Sequence, residues 1–301
     1  MKIKALKRLN YGLSAFVLCF LLFSFKSQAS TKIDTLVNSG FKIKTIIVDA
    51  GHGNRPPGGG RYSPGAEGSH SFERTVTLAI AQKLQKAIEK DIAGVKVVMT
   101  RTTPDDVPFQ TRADIANQNK GDLFISIHCN ALPNHTIRQV VGHKHGKPVY
   151  RTSSVPDRSG KGVLMLVYDT KRTAPQIEAL LENAEIGEPK ATEKAKEPED
   201  PLAIMMINQL KNKYRKQSIH LADLLNNEFV QNDGRRSEGL REQVLFVLDH
   251  TAMPSVLVET GYINNPEDED YLNSDQGQNE IVDSIVRGIK TYKKEVEQIT
   301  E

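Results

Sequence analysis

The chain has 301 residues, with 40 Lys and Arg against 37 Asp and Glu, which gives a formal net charge of +3 at pH 7. This small basic excess excludes a nucleic-acid-binding protein that depends on neutralising phosphates. The absence of Trp and an aromatic content of 6% argue against an attached sugar-binding module built on exposed aromatic platforms. The length is sufficient for one large domain or two modest ones, each with its own core.

Residues 1–29 have the layout of a secretory signal peptide. A basic segment at 1–10 precedes an apolar run from Ala15 to Phe23, and small residues surround a cleavage position after Ala29. The apolar run is short for a bilayer span, so we expect export with no stable membrane anchor after cleavage. An uncleaved anchor is the alternative. Cleavage would remove five basic residues and no acids, which leaves a mature chain with a net charge of −2.

After a polar leader at 30–42, strand-like and helix-like segments alternate along the chain. β-branched apolar runs indicate strands, and apolar residues at helical spacing indicate helices. In chain order these patterns predict a strand at 44–49, a helix at 71–90 capped by Ser71, a strand at 95–100, a helix at 109–118, a strand at 122–127, a hairpin or long loop at 134–161 and a strand at 163–168.

An insertion at about 170–215 interrupts this alternation. It contains a short amphipathic helix at 174–184 and a charged, Pro-containing tract at 185–200. The remaining patterns predict a long helix at 201–229, a strand or turn at 243–248, a strand at 254–258 and a helix at 279–296. We therefore expect an α/β fold, a mostly parallel twisted sheet flanked by helices on both faces, in a single domain with a helical insertion.

Side chains capable of chemistry follow three of the predicted strands. His52 lies just beyond Asp49, and His128 and Glu259 directly follow the other two strands. Ligands of open α/β sheets bind beyond the carboxyl ends of the strands, and Glu73 can reach that edge from the first turn of the next helix.

Two imidazoles and one or two carboxylates at one sheet edge suggest a catalytic zinc site. His52, Glu73 and His128 would be the ligands, and Glu259 would be free to take a proton from a zinc-activated water. Asp49 would orient an imidazole from behind the ligands. The spacing matches no local metal-binding signature, so ordinary structural roles for these residues remain open at this point.

Other residues compete for these roles. His70 is an alternative to Glu73, but it lies in a Gly- and Ser-rich loop. His143 and His145 alternate as ligands on a strand would, yet their basic surroundings favour a solvated hairpin. Cys129 should lie on the opposite side of its strand from His128, as a small buried hydrophobic residue.

Six segments in the same order resemble the zinc-dependent N-acetylmuramoyl-L-alanine amidases of the amidase_3 family. They are Ile46–Gly53, Phe72–Arg74, Thr100–Asp105, Arg112–Asn117, Asp122–Ala131 and Met253–Pro266. The resemblance implies that 43–297 is a catalytic domain with one Zn²⁺ per chain, held by His52, Glu73 and His128, and with Glu259 as the catalytic carboxylate. The bond cut would be the amide between N-acetylmuramic acid and L-alanine of the stem peptide of peptidoglycan.

The insertion further resembles that of the cell-division amidases, in which an inserted helix covers the site until a protein activator displaces it. Glu178, Glu182 and Glu185 are the candidate acids for filling the open zinc position, and a solvated surface helix is the alternative. The resemblance implies a periplasmic enzyme of cell-wall remodelling or daughter-cell separation. Two other functions remain open: a non-catalytic wall-binding or regulatory module of the same fold, and a zinc peptidase that acts within the stem peptide.

Overall fold

The computed structural model describes residues 42–169, 177, 179–180 and 201–298. Its strands are β1 (Thr45–Ala50), β2 (Lys96–Met99), β3 (Leu123–Asn130), β4 (His135–Lys144), β5 (Lys147–Val155), β6 (Val163–Tyr168), β7 (Ser237–Gln243) and β8 (Ser255–Tyr262). Its helices are α1 (Glu73–Asp91), α2 (Phe109–Gln118), α3 (Pro201–Gln231), α4 (Phe246–Asp249), α5 (Pro266–Asn273) and α6 (Asp275–Gln298).

Six strands form the central sheet in the order β2-β1-β3-β8-β6-β7. The pairs β1–β2, β1–β3, β3–β8 and β6–β7 are parallel, and β6 runs antiparallel to β8. The inner strands β1, β3, β6 and β8 are buried along almost their whole length, because helices cover the sheet. This arrangement confirms the predicted α/β fold with a mostly parallel sheet.

Helices pack on the sheet through apolar residues. α1 contacts β1, β2 and β3, and α3 contacts β6, β7 and β8. Ala116 of α2 and Leu248 of α4 join a core cluster that includes Ile47, Phe124 and Leu257 from three neighbouring strands. The carboxyl ends of β1, β3 and β8 thereby meet at one edge of a rigid, buried sheet.

The C-terminal part differs from the prediction in two places. Of the strand or turn predicted at 243–248, the strand is wrong, because the single helical turn α4 lies there and the strand β7 precedes it at Ser237–Gln243. β7 is an edge strand with the polar sequence SEGLREQ, so it has no apolar run to reveal it. The sequence patterns also missed α5, although Asn265 caps it and Pro266 occupies its first turn.

The predicted cap of the first helix is also wrong. α1 begins after Phe72, whose side chain makes no capping hydrogen bond. The Ser71 hydroxyl donates instead to the carboxylate of Glu269 on α5, at 2.8 Å. The serine therefore fixes a loop to a distant helix.

Lys42–Val296 form one compact unit. In the part of the chain described here, no helix is both long enough and apolar enough to cross a membrane. The predicted signal peptide at 1–29 and residues 30–41 of the 30–42 leader lie outside the described residues, as does the charged tract at 185–200.

Candidate metal centre

The structure brings His52, Glu73 and His128 together at the carboxyl edge of the sheet. Oε1 of Glu73 lies 3.1 Å from Nε2 of His52 and 3.0 Å from Nδ1 of His128. One potential ligand atom from each side chain lies within 4.8 Å of the other two. These are the residues predicted as zinc ligands, and within the described ranges no other group of three His, Cys, Asp or Glu converges in this way.

The turn that follows β1 presents His52 in an unusual backbone conformation. Its φ of 60° falls in the left-handed region, which costs a non-glycine residue about 1–3 kcal/mol. Arg112 stabilises the turn by donating to the carbonyl oxygens of His52 and Ala50, at 2.9 and 2.5 Å. Arg101 adds hydrogen bonds to the carbonyls of Ala50 and Gly51. Two buried arginines therefore hold the imidazole in place.

Two glycines allow the three side chains to approach one another. A Cβ atom at Gly51 would lie 2.4 Å from Cε1 and Nε2 of the His128 ring. At Gly65, whose φ is +73°, a Cβ atom would lie 2.8 Å from both Oε2 of Glu73 and Cγ of His52. Larger residues at either position would push the cluster apart.

Hydrogen bonds behind the cluster orient its members. Nδ1 of His52 lies 2.7 Å from the Ser63 hydroxyl, which leaves Nε2 directed towards Glu73. The Glu73 carboxylate accepts from the backbone N–H of Ala66 at 2.7 Å and of Cys129 at 3.0 Å. Burial opposes ionisation of Glu73, but hydrogen bonds from His128 and His52 outweigh it and hold the pKa of Glu73 below its usual range. The cluster thus contains an ionised carboxylate.

Glu259 lies beside the cluster because β3 and β8 are in register. His128 and Glu259 are paired residues on these adjacent parallel strands, and both line a cleft of about 600 Å³. Oε2 of Glu259 is buried and has no hydrogen-bond partner among the described residues. Burial, together with the negative charge of Glu73, raises the pKa of Glu259 well above its usual value. This carboxyl group is therefore suited to hold a proton.

We expected Asp49 to orient an imidazole, but its hydrogen bonds join it to other side chains. Its carboxylate accepts hydrogen bonds from Arg112 at 2.6 Å, from the Thr100 hydroxyl at 2.5 Å and from the Ser126 hydroxyl at 2.6 Å. Asp49 therefore acts on the cluster indirectly, by fixing the arginine that holds the His52 turn. Periodicity could not reveal this role, because a buried arginine has no apolar signature in sequence.

The competing residues lie elsewhere. His70 is half-exposed, and its Nδ1 lies 3.5 Å from a carboxylate oxygen of Glu269. His143 and His145 are exposed in the separate β4–β5 hairpin, which confirms the prediction of a solvated hairpin. Cys129 is buried, as predicted, and burial raises its pKa.

The three acids proposed to occlude the site, Glu178, Glu182 and Glu185, lie outside the described residues. Ile177, Ala179 and Leu180 of the same segment are helical. They pack on an apolar cluster that includes Ile207 of α3.

The donor set of the cluster fits a zinc ion. Two imidazole nitrogens and one carboxylate oxygen are the ligands of many catalytic zinc sites, which keep a further position open for water. The imidazole of His52 and the carboxylate of Glu73 each have an outer hydrogen-bond partner, as metal ligands usually do. Glu259, whose Oε2 has no hydrogen-bond partner among the described residues, lines the same cleft.

Comparisons with known proteins point to one family. Residues 46–291 match the family Amidase_3, described as N-acetylmuramoyl-L-alanine amidase. The amidase AmiC of Escherichia coli O6:H1 is 30% identical over 254 residues, which are 82% of this chain and 52% of AmiC, so the chain spans about half the length of that relative. AmiA of Escherichia coli K12 is 27% identical over 94% of this chain and 90% of its own length.

A solved structure has the same fold. The CwlD amidase of Clostridioides difficile, determined in complex with the GerS lipoprotein, is 19% identical and matches with a TM-score of 0.55. The match covers 83% of this chain and 98% of CwlD. Since the family match extends over most of the sequence, the chain belongs to the Amidase_3 family of N-acetylmuramoyl-L-alanine amidases.

Proposed function

We propose that this protein is an exported, zinc-dependent peptidoglycan hydrolase that cuts the amide bond between N-acetylmuramic acid and the L-alanine of the stem peptide. The observation that carries the proposal is the cluster of His52, Glu73 and His128 at a cleft that Glu259 also lines, with its Oε2 buried and without a partner among the described residues. Membership of an amidase family supports the choice of bond.

In this mechanism His52, Glu73 and His128 would hold one zinc ion, which when bound would polarise a carbonyl group and lower the pKa of water. Glu259 accepts a proton from the attacking water as the new C–O bond forms. It then donates that proton to the amide nitrogen as the C–N bond breaks. Its raised pKa suits it to keep the proton between the two steps.

The test compares the native full-length protein with Glu259→Gln. We expect about one zinc per chain in both proteins, and release of stem peptides from purified peptidoglycan that falls by roughly 10²–10⁴-fold in the variant. Glu89→Gln, an exposed carboxylate on α1, is the matched control and should retain native activity.

Product analysis separates the alternative functions. An amidase leaves glycan free of peptide, whereas a peptidase that acts within the stem leaves alanine attached to the glycan. A protein that binds peptidoglycan without releasing any peptide, with or without its insertion, would be a wall-binding or regulatory module. Absence of zinc from the native protein would remove the central claim.

We further propose that the insertion at about 170–215 covers the cleft until a protein activator displaces it. The resemblance to regulated amidases supports this idea, and the complex of CwlD with the GerS lipoprotein shows one relative of this fold with a protein partner. Export through the 1–29 signal peptide would place the enzyme in the periplasm, with a role in cell-wall remodelling or daughter-cell separation.

A further inference from the structure

The β4–β5 hairpin is exposed on both faces. Its two strands form a sheet of their own, separate from the central six strands. Isolated two-stranded hairpins are marginally stable in water. This one also exposes four apolar side chains near its middle, with exposed fractions of 42–54%: Val140, Val141, Val149 and Tyr150. Exposed apolar side chains grouped in this way are typical of an interaction site.

The hairpin also carries a cluster of positively charged side chains. The sequence from His135 to Val155 contains four Lys and Arg residues and no acidic residue, in a chain whose charges otherwise nearly balance. Arg138 stacks on the ring of Tyr150, with its guanidinium carbon 3.9 Å from the ring centre. Arg151, next to Tyr150 in the strand, lies on the opposite face, and Lys144 pairs with Lys147 at the tip. Such a surface complements an anionic ligand.

The base of the hairpin is fixed at the rim of the catalytic cleft. The Asn264 side-chain amide donates to the carbonyl oxygens of Leu132 and Asp157, at 2.9 Å each, and so ties the two legs of the hairpin together. Asn264 follows β8, the strand that carries Glu259. Residues 130–133, which lead into the hairpin, line the cleft itself. A polymer bound in the cleft would therefore contact the hairpin where it extends beyond the cleft rim.

We propose that the β4–β5 hairpin is a second substrate-binding site, which holds the carboxylates of a stem peptide adjacent to the one being cut. This inference rests on the proposed function, because peptidoglycan repeats an anionic peptide along each glycan strand. The charge of the tip favours this ligand over a membrane. Lys144 and Lys147 lie at the tip of the hairpin, and the exposed apolar residues lie further from the tip. Segments that insert into a membrane instead bury their apolar residues deepest.

The test uses the full-length Glu259→Gln protein, which we expect to digest its ligand far more slowly than the native protein, and measures co-sedimentation with insoluble peptidoglycan. Replacing the four basic residues of the hairpin (R138Q, K144Q, K147Q and R151Q) should raise the dissociation constant roughly tenfold. The matched control removes four exposed lysines near the amino ends of β1 and β2 and the end of α1 (K44Q, K86Q, K90Q and K96Q) and changes the net charge equally. It should bind within about twofold of the parent. Thermal unfolding checks that both variants are folded.

Two further ligands identify the chemistry. Peptidoglycan whose carboxylates have been converted to methyl amides should bind the hairpin variant and the parent equally well. Equal binding of both proteins to untreated peptidoglycan would overturn the proposal. A hairpin variant that binds phosphatidylglycerol vesicles more weakly than the parent, but binds peptidoglycan equally well, would also overturn it. The co-sedimentation assay measures binding and requires no catalysis. The hairpin variant can therefore show weaker binding even if the protein lacks amidase activity, so the two proposals fail separately.

Discussion

Arg112 links the core of the protein to the candidate metal centre. It is almost completely buried, and its guanidinium donates to the carboxylates of Asp49 and Asp106 and to the carbonyls of Ala50 and His52. Burying charges is costly unless every partner is satisfied, and removal of one partner of such a pair is strongly destabilising. The arginine therefore makes the position of His52 dependent on a buried ionic network.

We expect this network to make stability depend on acid pH. Burial opposes ionisation of Asp49, but Arg112, Ser126 and Thr100 outweigh it and hold the pKa of Asp49 below its ordinary value of 3.8. A carboxyl group with a lowered pKa in the folded state contributes stability above its unfolded pKa. That contribution is lost as the pH falls below 3.8 and through the lowered pKa.

Urea unfolding of metal-free protein at a series of pH values measures this effect. Asp49→Asn should be less stable than the native protein near neutral pH and should show a shallower loss of stability in acid. Asp114→Asn, which alters a less buried carboxylate on α2, serves as the control. An equally steep acid slope in Asp49→Asn would contradict the assignment.

At the scale of elements, α5 anchors the loop that leads into α1. The fully buried carboxylate of Glu269 accepts hydrogen bonds from the backbone N–H groups of Ser69, His70 and Ser71, at 2.8–2.9 Å, and from the Ser71 hydroxyl. The loop ends immediately before Glu73. The anchor therefore determines where the third side chain of the cluster lies.

Glu269→Gln should loosen this anchor. An amide cannot accept all four bonds, and leaving buried donors unsatisfied costs about 1–3 kcal/mol. We expect a lower free energy of unfolding and a several-fold weaker affinity for zinc, measured by competition with a chelator. Asp270→Asn changes the adjacent, exposed carboxylate and should affect neither quantity. Native zinc affinity in Glu269→Gln would exclude a positioning role for the anchor.

The insertion provides a second test at this scale. If one of the three candidate acids, in or just after the helix predicted at 174–184, fills the open metal position, then replacing Glu178, Glu182 and Glu185 with Gln should raise amidase activity on purified peptidoglycan. Replacing Glu193, Glu197 and Glu199 removes the same charge from the tract that follows and should leave activity unchanged. Deletion of about 174–200 should match the first variant. Lower or equal activity in the first variant would favour an ordinary surface helix.

The elements that the sequence predicted best are those buried in the sheet. β1, β3, β6 and β8 were recognisable because buried strands need continuous β-branched and apolar residues. The patterns do not reveal β7 because an edge strand can remain polar, and they leave a strand or a turn open at α4 because its apolar residues form too short a run to show a helical period. The candidate site followed from the strand ends. Ser63 and Arg101 hydrogen-bond to His52 and to the turn that carries it, and Glu269 holds the loop before Glu73; sequence periodicity does not predict how loops bring such residues together.

At the scale of the whole molecule, the candidate ligands come from separate parts of the chain. His52 follows β1, Glu73 begins α1 and His128 lies near the end of β3. A metal ion bound by all three would connect these elements in the folded state only. Ligands that bind only the folded protein stabilise it in proportion to their concentration and affinity.

Metal removal should therefore lower the thermal stability of the whole domain. We expect chelation to lower the Tm and stoichiometric zinc to restore it, since a ligand at 100 times its Kd contributes about 2.7 kcal/mol. Glu259→Gln should respond like the native protein, because Glu259 is not among the proposed ligands. His52→Ala and His128→Ala should unfold at the same temperature with and without zinc. A zinc-dependent Tm in both His variants would place the metal elsewhere.

The close contact between Gly51 and His128 has a consequence for the entropy of ligand binding. No side chain intervenes between the Gly51 backbone and the Cε1–Nε2 edge of the imidazole, so the ring has little room to rotate, and its Nδ1 already lies 3.0 Å from Glu73. The conformational freedom of this side chain is given up when the protein folds. A ligand that arrives at Nδ1 then immobilises nothing further, and preorganisation of this kind increases affinity without any additional contact.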